Sequence, residues 1–321
     1  MTTSRSRHLV DPGLRPLLDF TPSEELTEAR VIEMRSQPAM LTAGPLDAEK
    51  VEQTSWTVPG PAGAPDVVVV VLRPLGLEGR LPCIFHIHGG GYIGGEVAQF
   101  VGMLGPLAIE LGCVITSVNY RVAPETRFPG AIEDCYAALA WLVANADEMG
   151  IDPARIGLKG ESAGGGLAAA LALLVRDRGE YSLMFQNLSY PMLDDRTGLG
   201  EPHPYAGEFM WRASDNTFGW RAYLDAEPGS AGVSPYAAPA RAESLASLPP
   251  TYIHVGALDL FIEENIEYGR RLIRAGVPCE LHVYPGGVHG FDAAPLSPIS
   301  VAARRDMMDW LRRFIPKHSP I

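Results

Sequence analysis

The sequence predicts an α/β chain in which a mostly parallel, eight-stranded sheet is flanked by helices and a second layer lies above it. Two observations carry that expectation. From Thr54 onward, short β-branched runs alternate with longer stretches of helical spacing, the pattern of a sheet covered on both faces. Several of the runs are too apolar for a sheet with one wet face and suit a buried one.

In chain order, the expected strands are 54–58, 66–72, 83–88, 113–119, 155–160, 185–190, 251–256 and 280–284. The second is the plainest, with five consecutive valines from Val67 to Val71. Helical spacing places Ile132, Tyr136, Leu139, Leu142 and Val143 on one stripe of a helix over 130–149. A stretch rich in Ala and Leu predicts another over 163–176, and the pattern returns over 262–275 and 299–314. Two regions break the alternation. The first forty-odd residues read as helices without strand partners, split by Pro22 and Pro38. The segment from Leu193 to about Ala238 holds Phe209, Met210, Trp211, Phe218, Trp220 and Tyr223. Together they are the expected second layer, and no internal repeat is visible.

Composition removes several functions. A chain of 321 residues, 46% hydrophobic and 20% charged, is long enough for one large core with an appendage. Its formal charge of -12 repels a phosphate backbone, so nucleic acid is not an expected partner. The start, MTTSRSRHLVDPG, has no apolar segment behind its basic residues, and the longest apolar stretch runs only from Leu167 to Val175. Neither a signal peptide nor a membrane span is expected. Cys83, Cys113, Cys135 and Cys279 are widely spaced in apolar contexts, which reads as reduced core thiols in a cytoplasmic protein. The 34 glycines and 28 prolines predict many tight turns.

Gly160-Glu161-Ser162-Ala163-Gly164 matches G-x-S-x-G between an expected strand and an expected helix. That placement lifts a serine hydroxyl out of the sheet on a sharp turn, with glycines allowing strand and helix to close around it. Alone, the motif is as well explained by a glycine-rich turn. A second feature, His88-Gly89-Gly90-Gly91-Tyr92, follows the strand at 83–88. Backbone N–H groups of Gly89, Gly90 and Gly91, with that of Ala163, suit the negative charge that develops when a serine attacks a carbonyl. Such a turn is also ordinary by itself, but the two in this order are much less so.

A serine nucleophile needs a base, and the base an orienting acid. Of eight histidines, His8 and His318 lie near the termini, His203 in a Pro-rich stretch, and His86, His88, His254 and His282 in or beside strands. His289 stands in Gly286-Gly287-Val288-His289-Gly290-Phe291 after the last strand, in what reads as a flexible loop at the carboxyl end of the sheet, where catalytic groups collect. Asp259 follows the strand at 251–256 at that same end. Glu263, one helical turn on, competes with it but suits a helix N-terminus. The order Ser162, Asp259, His289 is that of α/β-hydrolases. A dinucleotide-dependent reductase is the competing enzyme reading of Gly160 to Gly166. It would place that turn after the first strand and an acid at the end of the next, and 186–190 supplies none.

With these residues placed, the chain resembles the hormone-sensitive-lipase-like (bacterial family IV) carboxylesterases of the α/β-hydrolase superfamily, from about residue 67 to 314. The motifs carrying the resemblance are His88-Gly89-Gly90-Gly91, Tyr120-Arg121-Val122-Ala123-Pro124-Glu125, Phe128-Pro129-Gly130-Ala131 with Asp134, Gly160-Glu161-Ser162-Ala163-Gly164-Gly165, Tyr190-Pro191, Ser234-Pro235, Asp259 and His289-Gly290-Phe291. It implies Ser162 as nucleophile, His289 as general base and acid, Asp259 as orienting acid, and an oxyanion hole from two of Gly89, Gly90 and Gly91 plus Ala163. It implies a helical cap of two pieces, 1–45 and 193–235, on a core of 46–192 and 236–321. Glu161 stands where the commonest branch has Asp, and its longer side chain is expected near the entrance. Val122 stands where Leu is usual. Arg121 and Glu125 are expected to tie a loop to the sheet by charged hydrogen bonds.

The implied reaction is hydrolysis of short-acyl esters, acetyl to about butyryl or hexanoyl, through an acyl-enzyme, with no metal or organic cofactor. Lactone or amide hydrolysis by the same groups, and a non-catalytic ligand receptor, stay open as alternatives. Tyr92, Phe209, Met210, Trp211, Phe218 and Trp220 are expected to line a pocket for a bulky or aromatic alcohol part, although packing the cap onto the sheet explains each of them equally. The resemblance also allows a homodimer paired through the last strand.

Overall fold

The computed structural model describes residues 4–21, 24–36 and 44–316. In chain order its elements are α1 (Glu28–Ser36), β1 (Val51–Val58), β2 (Val67–Pro74), β3 (Leu81–Ile87), α2 (Val101–Leu111), β4 (Val114–Asn119), α3 (Gly130–Ala144), β5 (Ile151–Glu161), α4 (Ala163–Arg178), β6 (Gln186–Ser189), α5 (Ala213–Tyr223), β7 (Thr251–Gly256), α6 (Ile262–Arg274), β8 (Cys279–Tyr284) and α7 (Pro298–Leu311). All eight expected strands are present in one sheet, ordered β1-β2-β4-β3-β5-β6-β7-β8. β2 runs antiparallel to both neighbours, and β4, β3, β5, β6, β7 and β8 are mutually parallel. The loops after β3, β5, β7 and β8 therefore leave from one end of the sheet.

Alternation along the strands divides the core. Cys83, Phe85 and Ile87 of β3 pack with Val114 and Val118 of β4 against Leu139 of α3 and Leu167 and Leu171 of α4. Ile84 and Ile115, of opposite parity, pack against Leu104 and Leu107 of α2 and Met308 and Leu311 of α7. α2 was not expected: Gly102, Gly105 and Pro106 interrupt its helical signal, and burial of Val101, Leu104, Leu107, Ala108 and Leu111 outweighs that weak propensity.

The segment from Leu193 to Ala238 is less helical than a cap of helices implies, with α5 as its one α-helix and the rest in turns. The N-terminal region has 3₁₀ segments at Arg7–Leu9 and Pro12–Phe20 before α1. The expected breaks at Pro22 and Pro38, and His318, lie outside the described residues. The two regions bind each other: Glu208 accepts from the Ser6 backbone N–H (2.8 Å) and hydroxyl (2.6 Å), and Arg212 donates to the Glu24 carbonyl (2.7 Å). Among the described residues, no helix is long and apolar enough to cross a membrane.

Candidate active site

Ser162 occupies the single-residue joint between β5 and α4, at φ 55° and ψ -122°. That conformation is costly for a residue with a Cβ and persists because the surroundings fix it. A Cβ on Gly160 would stand 2.2 Å from the Gly164 carbonyl oxygen, and one on Gly164 would stand 2.1 Å from that of Ile87. Only glycine fits either position, so strand, helix and the end of β3 meet closely around the serine.

The Ser162 hydroxyl donates to Nε2 of His289 at 2.9 Å, and Nδ1–H of His289 donates to Oδ2 of Asp259 at 2.9 Å. The remaining Asp259 oxygen, Oδ1, accepts the Phe261 N–H at 2.9 Å. The Asp259 carboxylate is fully buried and the His289 ring nearly so. Phe261 and Tyr190 set their rings edge-on to the imidazole, with centroids at 5.2 and 5.0 Å. Glu263, the competing acid, is exposed in the first turn of α6.

The loop carrying His289 differs from the flexible loop expected from its glycines. The Leu258 N–H donates to the Gly287 carbonyl (2.8 Å), the Gly287 N–H to that of Tyr284 (3.1 Å), and the Asp11 N–H to that of Gly286 (3.1 Å). A Cβ on Gly256 would stand 2.3 Å from the Gly287 oxygen. The glycines serve close approach here, and the loop is stitched to the one bearing Asp259.

Gly89, Gly90 and Gly91 turn beside the serine: a Cβ on Gly89 would stand 2.9 Å from the Glu161 carbonyl oxygen and 3.4 Å from the Ser162 Cβ. Gly90 and Gly91 both have positive φ, and Ala163 opens α4 next to the serine. The Tyr120 hydroxyl donates to the His88 carbonyl (2.8 Å) while its ring stacks on the His88 imidazole, which burial pushes down to about 4. His88 is therefore uncharged at neutral pH and acts as a strut for the turn.

The aromatic residues expected around a pocket separate into two sets. Trp211 lies across the glycine turn, where a Cβ on Gly91 would stand 2.3 Å from its ring, and its ring centroid is 6.5 Å from that of His289. Met210, half-buried at φ 64°, adjoins it, and Phe209 is buried in a cluster with Leu258 and Ile262. Tyr92 and Trp220 do not line an open space: they are 1% and 0% exposed and pack on each other and on Tyr223. Phe218 is half-buried against that same core. Large rings in a cap bury more area by packing onto the sheet than by facing solvent. A cleft of about 640 Å³ opens instead between 194–207 and α6, lined by Thr197, His203, Leu260 and Glu264 but by neither Ser162 nor His289.

Among the charged groups near the site, Asp292 and Arg35 were missed because their partners are distant in sequence. Glu161 is not at an entrance: it is 5% exposed, its carboxylate taking Nε2–H of His86 at 2.8 Å and the ammonium of Lys159. Burial alone would raise its pKa, but Lys159 and His86 hold the carboxyl well below its ordinary range. Asp292 accepts the Tyr190 hydroxyl (2.7 Å) and faces His254 (3.4 Å). Arg121 forms a two-pronged pair with buried Asp134 of α3 (2.8 and 2.7 Å), and Glu125 pairs with Arg35 of α1. Both tie the loop to helices, not to the sheet as expected, because the nearest opposite charges stand there. Among the described residues, no group of three or more His, Cys, Asp or Glu side chains is placed to hold a metal ion.

Comparison with known proteins agrees with this architecture. An α/β-hydrolase-fold family profile matches residues 84–293. Esterase LipI of Mycobacterium tuberculosis is 31% identical over 307 residues, covering 90% of each chain. Carboxylesterase NlhH of the same organism is 32% identical over 292 residues, covering 88% of each. A solved structure described as a bacterial heroin esterase superposes with a TM-score of 0.88 at 36% identity, over 97% of this chain and 99% of its own. The sheet order, the serine turn and these likenesses over nearly the whole length lead to one assignment: the chain belongs to the α/β-hydrolase family, as a carboxylic ester hydrolase of its hormone-sensitive-lipase-like branch.

Proposed function

We propose that the chain hydrolyses short-acyl esters, acetyl to about butyryl or hexanoyl, through an acyl-enzyme on Ser162. The observation that carries this reading is the continuous hydrogen-bonded line from Ser162 through His289 to Asp259. The Ser162 oxygen attacks the ester carbonyl carbon, its proton passes to Nε2 of His289, and the carbonyl electron pair moves onto oxygen. Two N–H groups from Gly89, Gly90 and Gly91, with that of Ala163, receive the oxyanion. Collapse expels the alcohol oxygen, which takes the proton back from His289. Water repeats the sequence, releasing the acid and restoring the serine. Asp259 keeps the imidazole proton on Nδ1, so that Nε2 is free to accept.

The alcohol part is bulky or aromatic, held by Trp211, whose ring lies beside that of His289, with Met210 next to it in the chain. The heroin esterase likeness supports this reading, heroin being an acetyl ester of a polycyclic alcohol and phenol. The cap is formed by 1–45 and 193–235, in support of which Glu208 and Arg212 bind the N-terminal segment. Four free thiols fit a cytoplasmic location, and the exposed edge of β8 fits a homodimer. Turnover of p-nitrophenyl acetate, butyrate and decanoate by wild type and Ser162→Ala tests the core of this. Loss of turnover in a folded Ser162→Ala variant is expected; near-normal rates would refute the nucleophile, and fastest turnover of decanoate would refute the short-acyl preference.

A further inference from the structure

The strand leading to Ser162 carries two buried charges, Lys159 and Glu161, 3% and 5% exposed. Taking an ion pair out of water is expensive, and it is repaid only where close geometry and further hydrogen bonds satisfy both charges. The chain's choice of cation is informative. Lys50, Lys159 and Lys317 are its only lysines among 26 basic residues. One of these three stands three residues before the serine, as a compact point charge set against Glu161.

The anion of the pair sits at a sensitive place. Glu161 directly precedes Ser162, and its backbone oxygen is the atom that a Cβ on Gly89 would meet at 2.9 Å, so the residue is wedged between the serine and the glycine turn. Its side chain reaches both ways, one oxygen to Lys159 and the other to His86 on β3. Nδ1 of His86 accepts from the Ser117 hydroxyl at 2.7 Å, which leaves Nε2–H to donate to Glu161. An oxyanion forming at the turn meets Glu161 as a like charge unless that charge is cancelled nearby.

We propose that Lys159 is the internal counter-ion of the serine turn, cancelling the Glu161 carboxylate so that the oxyanion develops beside a balanced pair. It acts through Glu161 and touches no reacting atom, which makes it a positioning residue. His88, Tyr120 and Tyr190 also stand within electrostatic range of Glu161, and Asp292 within range of Lys159. These groups stay the same across the variants below.

The inference rests on reading Ser162 as the nucleophile, and Ser162→Ala tests that separately. Lys159→Met leaves a bare anion, Glu161→Gln a bare cation, and the double variant neither. Measured on p-nitrophenyl butyrate, Lys159→Met is expected to lower kcat about ten-fold or more at nearly unchanged KM. Glu161→Gln is expected to stay within about three-fold of wild type, since a glutamine still accepts from the ammonium, and so is the double variant, since it holds neither charge. A purely structural pair behaves differently: both single variants slow alike and the double is no faster. That pattern, or a Lys159→Met kcat within about two-fold of wild type, overturns the proposal while leaving the Ser162 reading intact. If Lys159→Met does not fold, Glu161→Gln decides: a ten-fold slower folded variant overturns the inference, and near wild-type turnover supports it.

Discussion

Replacing Asp259 by Asn changes one atom and tests the hydrogen-bonded line through proton placement alone. The Phe261 N–H requires an acceptor at Oδ1, so the side chain is set with its new NH₂ group toward His289. Nδ1 of the imidazole, 2.9 Å away, must then accept, which moves the ring proton to Nε2 and presents a donor to the Ser162 hydroxyl. A base in that tautomer cannot take the serine proton, and losses in kcat of about 10⁴-fold follow such a reversal. The escape is a flipped amide, which restores the tautomer but sets NH₂ against the Phe261 N–H. With Asp259 1% exposed, that unpaired contact costs about 1–3 kcal/mol, so a fraction between roughly a sixth and one in 150 of molecules escape. The escaping fraction sets the residual activity, so the expected fall in kcat for p-nitrophenyl butyrate is between about 6- and 150-fold, with unchanged circular dichroism because no volume is lost. A folded Asp259→Asn variant within about three-fold of wild type would refute the reasoning.

Two further outcomes concern the scaffold. Burial pushes the Glu264 carboxyl well above its ordinary range, against the pull of the Leu193 N–H (2.6 Å) and the Thr197 hydroxyl. The unfolded chain then loses this proton first, and stability is lost as pH rises from the ordinary carboxyl range toward the folded value, by up to about 1.4 kcal/mol per pH unit. Glu264→Gln should thus gain on wild type in thermal melts as pH rises from about 5 to 8, and a constant gap would show no such titration. Asp134→Ala removes three hydrogen bonds to Arg121 and should cost about 2–4 kcal/mol in urea unfolding, a loss that a change below about 0.5 kcal/mol would contradict.

Local pattern made the sheet legible, because most strands are short apolar runs, β-branched in β2, β4 and β7, set between turn or helical stretches. α2 was not legible, since its Gly and Pro residues mask a helix held by burial on one side. At the site, the order of Ser162, Asp259 and His289 along the chain pointed to the loops that the fold brings together. The glycines beside His289 suggested mobility because a glycine pair looks the same in a loose loop and in one packed against another backbone. Trp220 and Tyr92 illustrate the same ambiguity for aromatics, whose sequence context does not say which way they face. The His86–Glu161 contact joins residues 75 apart across two strands and leaves no periodic trace. Lys159 beside Glu161 in an apolar run was the one local sign of it.

The stitching of the two loops has a mechanical consequence. Ala257 and Gly287 both donate to the Tyr284 carbonyl at the end of β8, and Leu258 donates to Gly287. Asp259 and His289 are therefore mounted on one bracket, fastened to the edge of the sheet, while Ser162 hangs from β5, three strands inward. A push on the edge strand would carry the Asp259 carboxylate and the His289 imidazole together and change their gap to the Ser162 hydroxyl. Under the proposed mechanism, strain at the rim would reach the serine through that one distance, 2.9 Å at rest.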